Sequence, residues 1–480
     1  MTAGPREGRP ALGDALFGAL LFVAALLPRL YVAVSWAGEP VWDGHYYDFG
    51  ARRIAEGAGY SDDLTLGGHL VWHPWCHYPV GYSAFLALFY RLFGDGRAVA
   101  AVANALVGAA LAVVTWALAR HALSPLRARA AGVLVALHPG LILYAALLMS
   151  EPLAALLTLL AFWAAVALRP RRGLVAGALL LGVAALVRPQ ALLCAPFLAL
   201  VLPATRARLP AAAVACAVAL VPVLPWTARN CAVMDGCALV STNGGWNLAI
   251  GAFPRATGRF ETLRSSDGCR DVTGQVQQDR CWLDYGLGQI RARPWHWLAL
   301  VPAKLGFTFD HESFAVEYLH EARPEAWPEG RRENGRGLTT LFHRLLLAAA
   351  ALGCIAYPRP RPTRAAAVQG ALVAVVLVLV AVAFTAESPV FWPLAIFLAV
   401  VPWLPLPGRP AMPPALLLPV SLLATTLVTH AVFFGEDRYH VVVTPVLALL
   451  AAAALRGGPW TRGRPVRAAV GAESVAETRR

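Results

Sequence analysis

Apolar residues dominate the chain in long runs separated by short arginine-bearing turns. The runs are 11–36, 96–120, 126–142, 145–168, 173–188, 190–204, 210–227, 338–357, 365–386, 389–404, 413–434 and 440–456. A helix of about 20 apolar residues crosses a hydrocarbon core, with latitude for tilt and for helical partners. The pattern predicts an all-α integral membrane protein of about 12 transmembrane helices. A further apolar stretch, 80–94, is short and opens on Pro79-Val80-Gly81, which predicts a juxtamembrane or re-entrant helix. The first run follows Arg6 and Arg9 but is too long for a signal-peptide core, so it reads as an anchor.

Arginines orient these helices, because cytoplasmic loops hold an excess of Lys and Arg. Arg120, Arg127 and Arg129 make one basic turn, Arg169, Arg171 and Arg172 another, and Arg206 and Arg208 a third. Arg359, Arg361 and Arg364 follow, and the tail 457–480 continues the series with Arg462, Arg464 and Arg467 just after Arg456. All of these face the cytoplasm together if 80–94 does not cross, and both termini are then cytoplasmic. The whole chain, 1–480, reads as a single polytopic domain with two extracytoplasmic loops, 37–95 and 228–337. Short outer corners fall near 143, 387 and 437, and 294–309 is apolar enough to lie along the membrane surface.

Composition agrees with this reading. Hydrophobic residues make up 58% and charged residues 14% of the chain, against about 25% charged in a soluble domain. The net charge of +13 lies in clusters between apolar runs, so it marks topology and not a nucleic-acid surface. A Walker loop, a GxGxxG after a strand, an HExxH and paired CxxC motifs are all lacking, as is an internal repeat. Chemistry is therefore expected from polar residues at the outer mouth of the helices. Cys231, Cys237, Cys269 and Cys281 fall in the long outer loop and Cys76 in the first, while Cys194, Cys216 and Cys354 sit in apolar runs. Spacing does not fix their pairing. Bridges 231–237 and 269–281 are the shortest solution and leave Cys76 free; reduced thiols are the alternative.

The first outer loop begins Val41-Trp42-Asp43-Gly44-His45-Tyr46-Tyr47-Asp48 and continues through Ala51-Arg52-Arg53-Ile54. A carboxylate just beyond a helix end, followed by a turn holding Tyr47, Ala51 and Ile54 on one face, puts an acid at the membrane surface on a rigid support. Further blocks follow in order: His77-Tyr78-Pro79-Val80-Gly81-Tyr82, Leu88-Phe89-Tyr90-Arg91-Leu92-Phe93-Gly94, Ser150-Glu151-Pro152 and Val187-Arg188-Pro189. Pro225-Trp226-Thr227-Ala228-Arg229-Asn230, Ser241-Thr242-Asn243-Gly244-Gly245-Trp246-Asn247-Leu248 and Asp437-Arg438-Tyr439 complete the set. Together they resemble the lipid-dependent glycosyltransferases of the GT-C fold, in particular the family 39 protein mannosyltransferase-like group and its bacterial relatives.

The resemblance implies a GT-C-like enzyme of the bacterial plasma (inner) membrane. It would take a sugar from a polyprenyl-phosphate donor and pass it to a hydroxyl of a protein, lipid or cell-wall glycan outside the cytoplasm. One departure narrows this. Many members carry Asp-Glu where this chain has Asp43-Gly44, so the resemblance implies glycosyl transfer in general more than protein O-mannosylation. The rival class is a multi-pass transporter or lipid-sugar flippase, which calls for a midplane site and matching halves.

Such a reaction needs a base for the acceptor proton and cations for the leaving phosphate. Asp43 is the candidate base; the blander role is a solvated loop acid or helix cap. Asp48 reads as structural or as a weak acceptor contact. Glu151 either pairs with Arg188 or touches the acceptor or Asp43. Arg229 and Arg438 lead the candidates for the donor phosphate, with Arg52, Arg53, His77 and Arg188 behind them, because guanidinium forks match phosphate oxygens; snorkelling is the alternative. Trp246, Asn243, Asn247 and Tyr439 are the candidate sugar contacts, while Trp226, Trp295 and Trp297 suit an interfacial belt. No cofactor is called for. A divalent metal is possible but not required, since two arginines serve one phosphate and no dense acidic cluster is present.

Overall fold

The computed structural model describes residues 12–66, 69–355, 363–385, 389–407, 409 and 411–455. Arg359, Arg361, the corner near 387 and the tail 457–480 lie outside the described residues. The described chain is mostly helical; its regular strands are Ser61–Leu66 and His69–Pro74, an antiparallel pair with Ser61 opposite Pro74 and Asp62 opposite His73.

Helices form wherever the apolar runs predicted them, but they do not all span. Among the described residues six are long and apolar enough to cross a membrane: Leu12–Trp36, Arg97–Ala119, Pro170–Val187, Glu329–Ile355, Arg364–Thr385 and Pro414–Val432. Two bent pairs raise the number to 8 if each counts once: Pro125–Ala136 with Pro139–Ala146, bent by 53°, and Thr205–Leu220 with Leu224–Val233, bent by 50°. Length and apolarity by themselves mark 6 to 8 of the expected 12 or so, and the runs at 145–168, 190–204, 389–404 and 440–456 yield shorter helices. Proline accounts for part of this. Pro189–Val201, with Pro196 inside it, is a 3-10 helix, and at a rise of about 2.0 Å per residue its chain reaches about 26 Å. The 80–94 stretch forms Val80–Phe93, short as predicted, with Leu88, Leu92 and Phe93 exposed.

One bend explains a charge buried in the first span. Pro139 has no N–H to give to the carbonyl of Val135, and the chain breaks there. The fully buried Arg29 supplies the missing donors, reaching Val135 O at 2.9 Å and Ala136 O at 2.8 Å. Gly108 makes room for it, since a Cβ at that position would overlap the Arg29 side chain. Within 228–337, Cys231 pairs with Cys237 and Cys269 with Cys281, while Cys76 is free and buried.

Candidate functional site

A cavity of ≈ 480 Å³ opens where five segments meet: the start of helix Asp43–Ala55, the turn 77–79, the residues after Val187, the stretch 239–247, and the segment 429–439. Asp43 opens its helix directly after Trp42, whose φ of 52° makes it the non-glycine residue in the left-handed region among the described residues. Such a conformation costs about 1–3 kcal/mol and persists only where the surroundings hold it. Here Phe314 and Tyr318 pack against the Trp42 ring, with centroids at 5.4 and 5.8 Å.

The Asp43 carboxylate faces the cavity with partners on both oxygens. Tyr78 donates its hydroxyl to Oδ1 at 2.8 Å, and Arg438 Nη1 lies 2.5 Å from Oδ2. The Arg438 Nε lies 2.5 Å from a second carboxylate, Glu436. Burial pushes the Asp43 pKa up, but the Arg438 charge and the Tyr78 hydrogen bond outweigh it and hold the group below the usual carboxylate value. For Glu436 burial wins over Arg438 and the pKa is raised. Two acids on one guanidinium are thus driven apart, which suits one to remain an ionised base.

A second guanidinium stands close by. Arg188 Nη2 pairs with the fully buried Glu151 at 2.5 Å, and its Nε donates to Ser150 Oγ at 3.2 Å. The Tyr439 ring lies 5.4 Å from the Arg188 guanidinium and 5.1 Å from that of Arg438, so both cations converge on the same face of the cavity. An aromatic wall completes the enclosure: Trp246, Phe260, Phe434, Tyr439 and His430 follow one another, with successive ring centroids 6.1, 5.8, 5.9 and 4.1 Å apart. Trp246 owes its position to Asp279, whose Oδ1 accepts from the Trp246 N–H at 3.0 Å. Its neighbour Gly245 lets helix Gln275–Ala292 approach, since a Cβ there would overlap the Asp279 carbonyl. Burial lowers the His77 pKa despite Asp43 nearby, so the imidazole at the cavity edge is neutral at pH 7.

The structure therefore brings together Asp43, His77, Arg188, Asn243, Trp246, Asn247, Arg438 and Tyr439 around one cavity. The other predicted residues lie outside its lining. Glu151 forms the ion pair with Arg188. Asp48 accepts from Arg52 at 2.8 Å and from the Tyr90 hydroxyl, and Arg52 also reaches Asp95 at 2.5 Å. Arg53 donates to Ser61 Oγ at 3.3 Å. Arg229 donates to the carbonyls of Tyr60 at 2.6 Å and Trp75 at 3.0 Å and lies over Trp226. Tyr78, Glu436 and His430 are site residues that sequence reading passed over. Tyr78 stood inside a quoted block and Glu436 beside one, whereas His430 lay within an apolar run.

The departure at residue 44 also has a physical cause. Gly44 is buried against the Tyr318 hydroxyl, which accepts the Val41 N–H at 3.2 Å, and any Cβ there would overlap that hydroxyl. Gly44→Ala is expected to destabilise the protein by about 1–3 kcal/mol through overpacking. Adding Tyr318→Phe should restore part of the loss. Thermal unfolding of the single and double variants measures both, and a Gly44→Ala protein as stable as wild type would contradict the close fit.

One group among the described residues has the composition and spacing of a metal site: Glu312, His343 and His440, all buried, with ligand atoms within 4.8 Å of one another. None of them lines the cavity.

Comparison with known proteins places these observations. No curated protein matches the chain significantly. The archaeal oligosaccharyltransferase AglB from Archaeoglobus fulgidus, solved with an inhibitory peptide and a dolichol-phosphate, aligns at 14% identity over 92% of this chain and 50% of its own, with a TM-score of 0.44. The chain thus spans about half the length of that enzyme. ArnT from Cupriavidus metallidurans bound to undecaprenyl phosphate aligns at 17% identity over 93% of this chain and 78% of its own, with a TM-score of 0.35. Residues 77–228, which hold the blocks from His77-Tyr78-Pro79 to Val187-Arg188-Pro189, match the family described as dolichyl-phosphate-mannose-protein mannosyltransferase. Over that stretch the resemblance read from the motif blocks is borne out.

Proposed function

We propose that this chain transfers a sugar from a polyprenyl-phosphate donor to an acceptor hydroxyl, outside the cytoplasm, in a single inverting displacement. The observation that carries the reading is the convergence of one ionised carboxylate and two guanidiniums on an aromatic-walled cavity. Arg188 and Arg438 take the donor phosphate, and charge-assisted contacts from both stabilise the negative charge that grows as the bond from the anomeric carbon to the phosphate oxygen breaks. The acceptor oxygen bonds to that carbon from the opposite face, and its proton passes to Asp43. A carboxylate has about four lone-pair positions, and Tyr78 and Arg438 occupy two, so the base retains room for the acceptor. Trp246, Asn243, Asn247 and neutral His77 contact the sugar. The acceptor itself, whether on a protein, a lipid or a cell-wall glycan, enters from the open side of the cavity.

The topology belongs to the same proposal: about 12 crossings of a bacterial plasma membrane, with both termini cytoplasmic and the loops 37–95 and 228–337 outside. The cavity supports it, because its polar residues come from segments that the arginine pattern assigns to the outer side or to its corners. The paired cysteines of 228–337 fit an oxidising compartment. No feature of the described residues favours the transporter or flippase alternative.

The test uses purified protein in lipid discs with a synthetic β-linked polyprenyl-phosphate sugar. Addition of an acceptor should release free polyprenyl phosphate and give an α-linked product. Movement of intact lipid-sugar between the leaflets of a liposome, without cleavage, would instead make the protein a flippase.

A further inference from the structure

A buried cluster beneath the segment 437–443 does not line the cavity. Glu312, His343 and His440 are 2%, 0% and 0% exposed, so whatever charge they carry is removed from water. Their hydrogen bonds fix which atoms hold protons. His440 Nδ1 lies 2.7 Å from the Thr308 carbonyl, and His343 Nε2 lies 2.9 Å from the Phe309 carbonyl. A carbonyl only accepts, so both of those nitrogens carry hydrogen. The neutral rings therefore turn bare lone pairs inward, His440 Nε2 at 3.0 Å and His343 Nδ1 at 3.9 Å from Glu312 Oε2.

Electron pairs facing a carboxylate in a dry interior require a cation among them. A single proton between His440 and Glu312 is insufficient, because it leaves His343 Nδ1 and Glu312 Oε1 as buried polar atoms without partners. A second proton on His343 would set two charged imidazoles face to face, since the His343 and His440 rings stack with centroids 3.9 Å apart.

We propose that Glu312, His343 and His440 bind one zinc ion in a structural role. Two imidazole nitrogens and one oxygen of Glu312 supply three donor atoms of the kind zinc prefers, and a water completes the four. Tetrahedral bonds of about 2.0–2.2 Å set donor atoms roughly 3.3 Å apart; the ligand atoms here lie within 4.8 Å of one another, so the side chains close in around the ion. The outer partners are already in place: the Thr308 and Phe309 carbonyls hold each ring in its ligating tautomer. His138 completes this layer. Its Nδ1 accepts the Leu141 N–H at 3.3 Å, which leaves its Nε2 hydrogen directed toward Glu312 Oε2, 3.7 Å away. Gly140 leaves the space that Glu312 needs, because a Cβ there would occupy the position of Oε1.

Such an ion would fasten the end of helix Val301–Phe309, helix Glu329–Ile355 and the segment Asp437–Val443 to one another. That third element carries Arg438, whose place at the cavity is set on its other side by Asp437 accepting from Ser313 and Phe314. The site stands on its own geometry, whatever reaction the cavity performs.

The experiment uses full-length protein in detergent, stripped with chelator, incubated with Zn²⁺ and desalted. One zinc per chain is expected, with X-ray absorption showing nitrogen and oxygen neighbours at about 2.0–2.2 Å, and the thermal midpoint should rise on zinc binding. Cobalt(II) in its place should give the strong visible absorption of four-coordinate cobalt. His343→Gln, His440→Gln and Gly140→Ala should each abolish tight retention. Wild-type protein that keeps under a tenth of an equivalent overturns the site, as does zinc retained at one per chain by His440→Gln. If the variants do not fold, the wild-type stoichiometry and ligand distances decide alone.

Discussion

Asp43→Asn protein is expected to transfer sugar roughly 10²–10⁴-fold more slowly than wild type while still binding the lipid donor. The amide keeps the shape of the carboxylate and still accepts from Tyr78, but it cannot take a proton. The loss therefore falls on the transition state and not on the ground state. Removing the negative charge also releases Arg438 from its ion pair, so donor affinity should hold or increase. Transfer under saturating donor, with donor binding measured separately, tests both statements. Near-wild-type transfer by folded Asp43→Asn protein would remove Asp43 as the base. A product with the anomeric configuration of the donor would exclude single displacement even if Asp43 proved essential.

Arg438→Ala is expected to weaken donor binding by about tenfold to a hundredfold, the worth of a charge-assisted hydrogen bond. Arg438→Lys should recover part of it, because the ammonium restores charge without the fork. A pH profile adds a second readout. The Arg438 charge is what holds Asp43 below the ordinary carboxylate value against the opposing effect of burial. Without that charge the Asp43 pKa rises, and the ionised base is lost at a higher pH as the solution is acidified. The acid limb of kcat/KM should therefore move to higher pH in Arg438→Ala. A limb that stays in place would mean that another group titrates there, and unchanged donor affinity would take Arg438 out of the phosphate site. On the proposed reaction, phosphate that engages Arg438 should loosen its hold on Asp43 and strengthen the base when the donor is in place.

Local sequence revealed those parts of the site that local sequence builds. Asp43, His77, Trp246 and Arg438 were readable because each stands in a short polar block at a helix end, and the same blocks set the sides of the cavity. Arg229 looked equally suited to a phosphate, but its partners at Trp75 and Tyr60 lie 154 and 169 residues away, and no local pattern reports such carbonyls. Glu151 with Arg188 was legible as one of two options, and the geometry shows the pair. The metal-capable group left no trace in spacing, since Glu312, His343 and His440 come from three separate elements. Apolar runs located the helices well, yet apolarity says little about whether a run is straight. Pro139 and Pro196 decide that through missing donors, and the apparent number of crossings changes with them.

The ion pair between Asp43 and Arg438 joins residues 395 positions apart. At a synthesis rate of about 5–20 residues per second, roughly 20–80 s pass between the emergence of the base and that of its partner. Throughout that interval the nascent chain already holds Asp43, the Tyr78 hydroxyl and then Trp246, but no guanidinium from the last segment. On the proposed reaction, a lipid donor meeting this part of the chain would find Asp43 and Arg188 but not the second guanidinium. The proposed phosphate site, with Arg438 between Asp43 and Glu436, is therefore complete only once the last segment has been made.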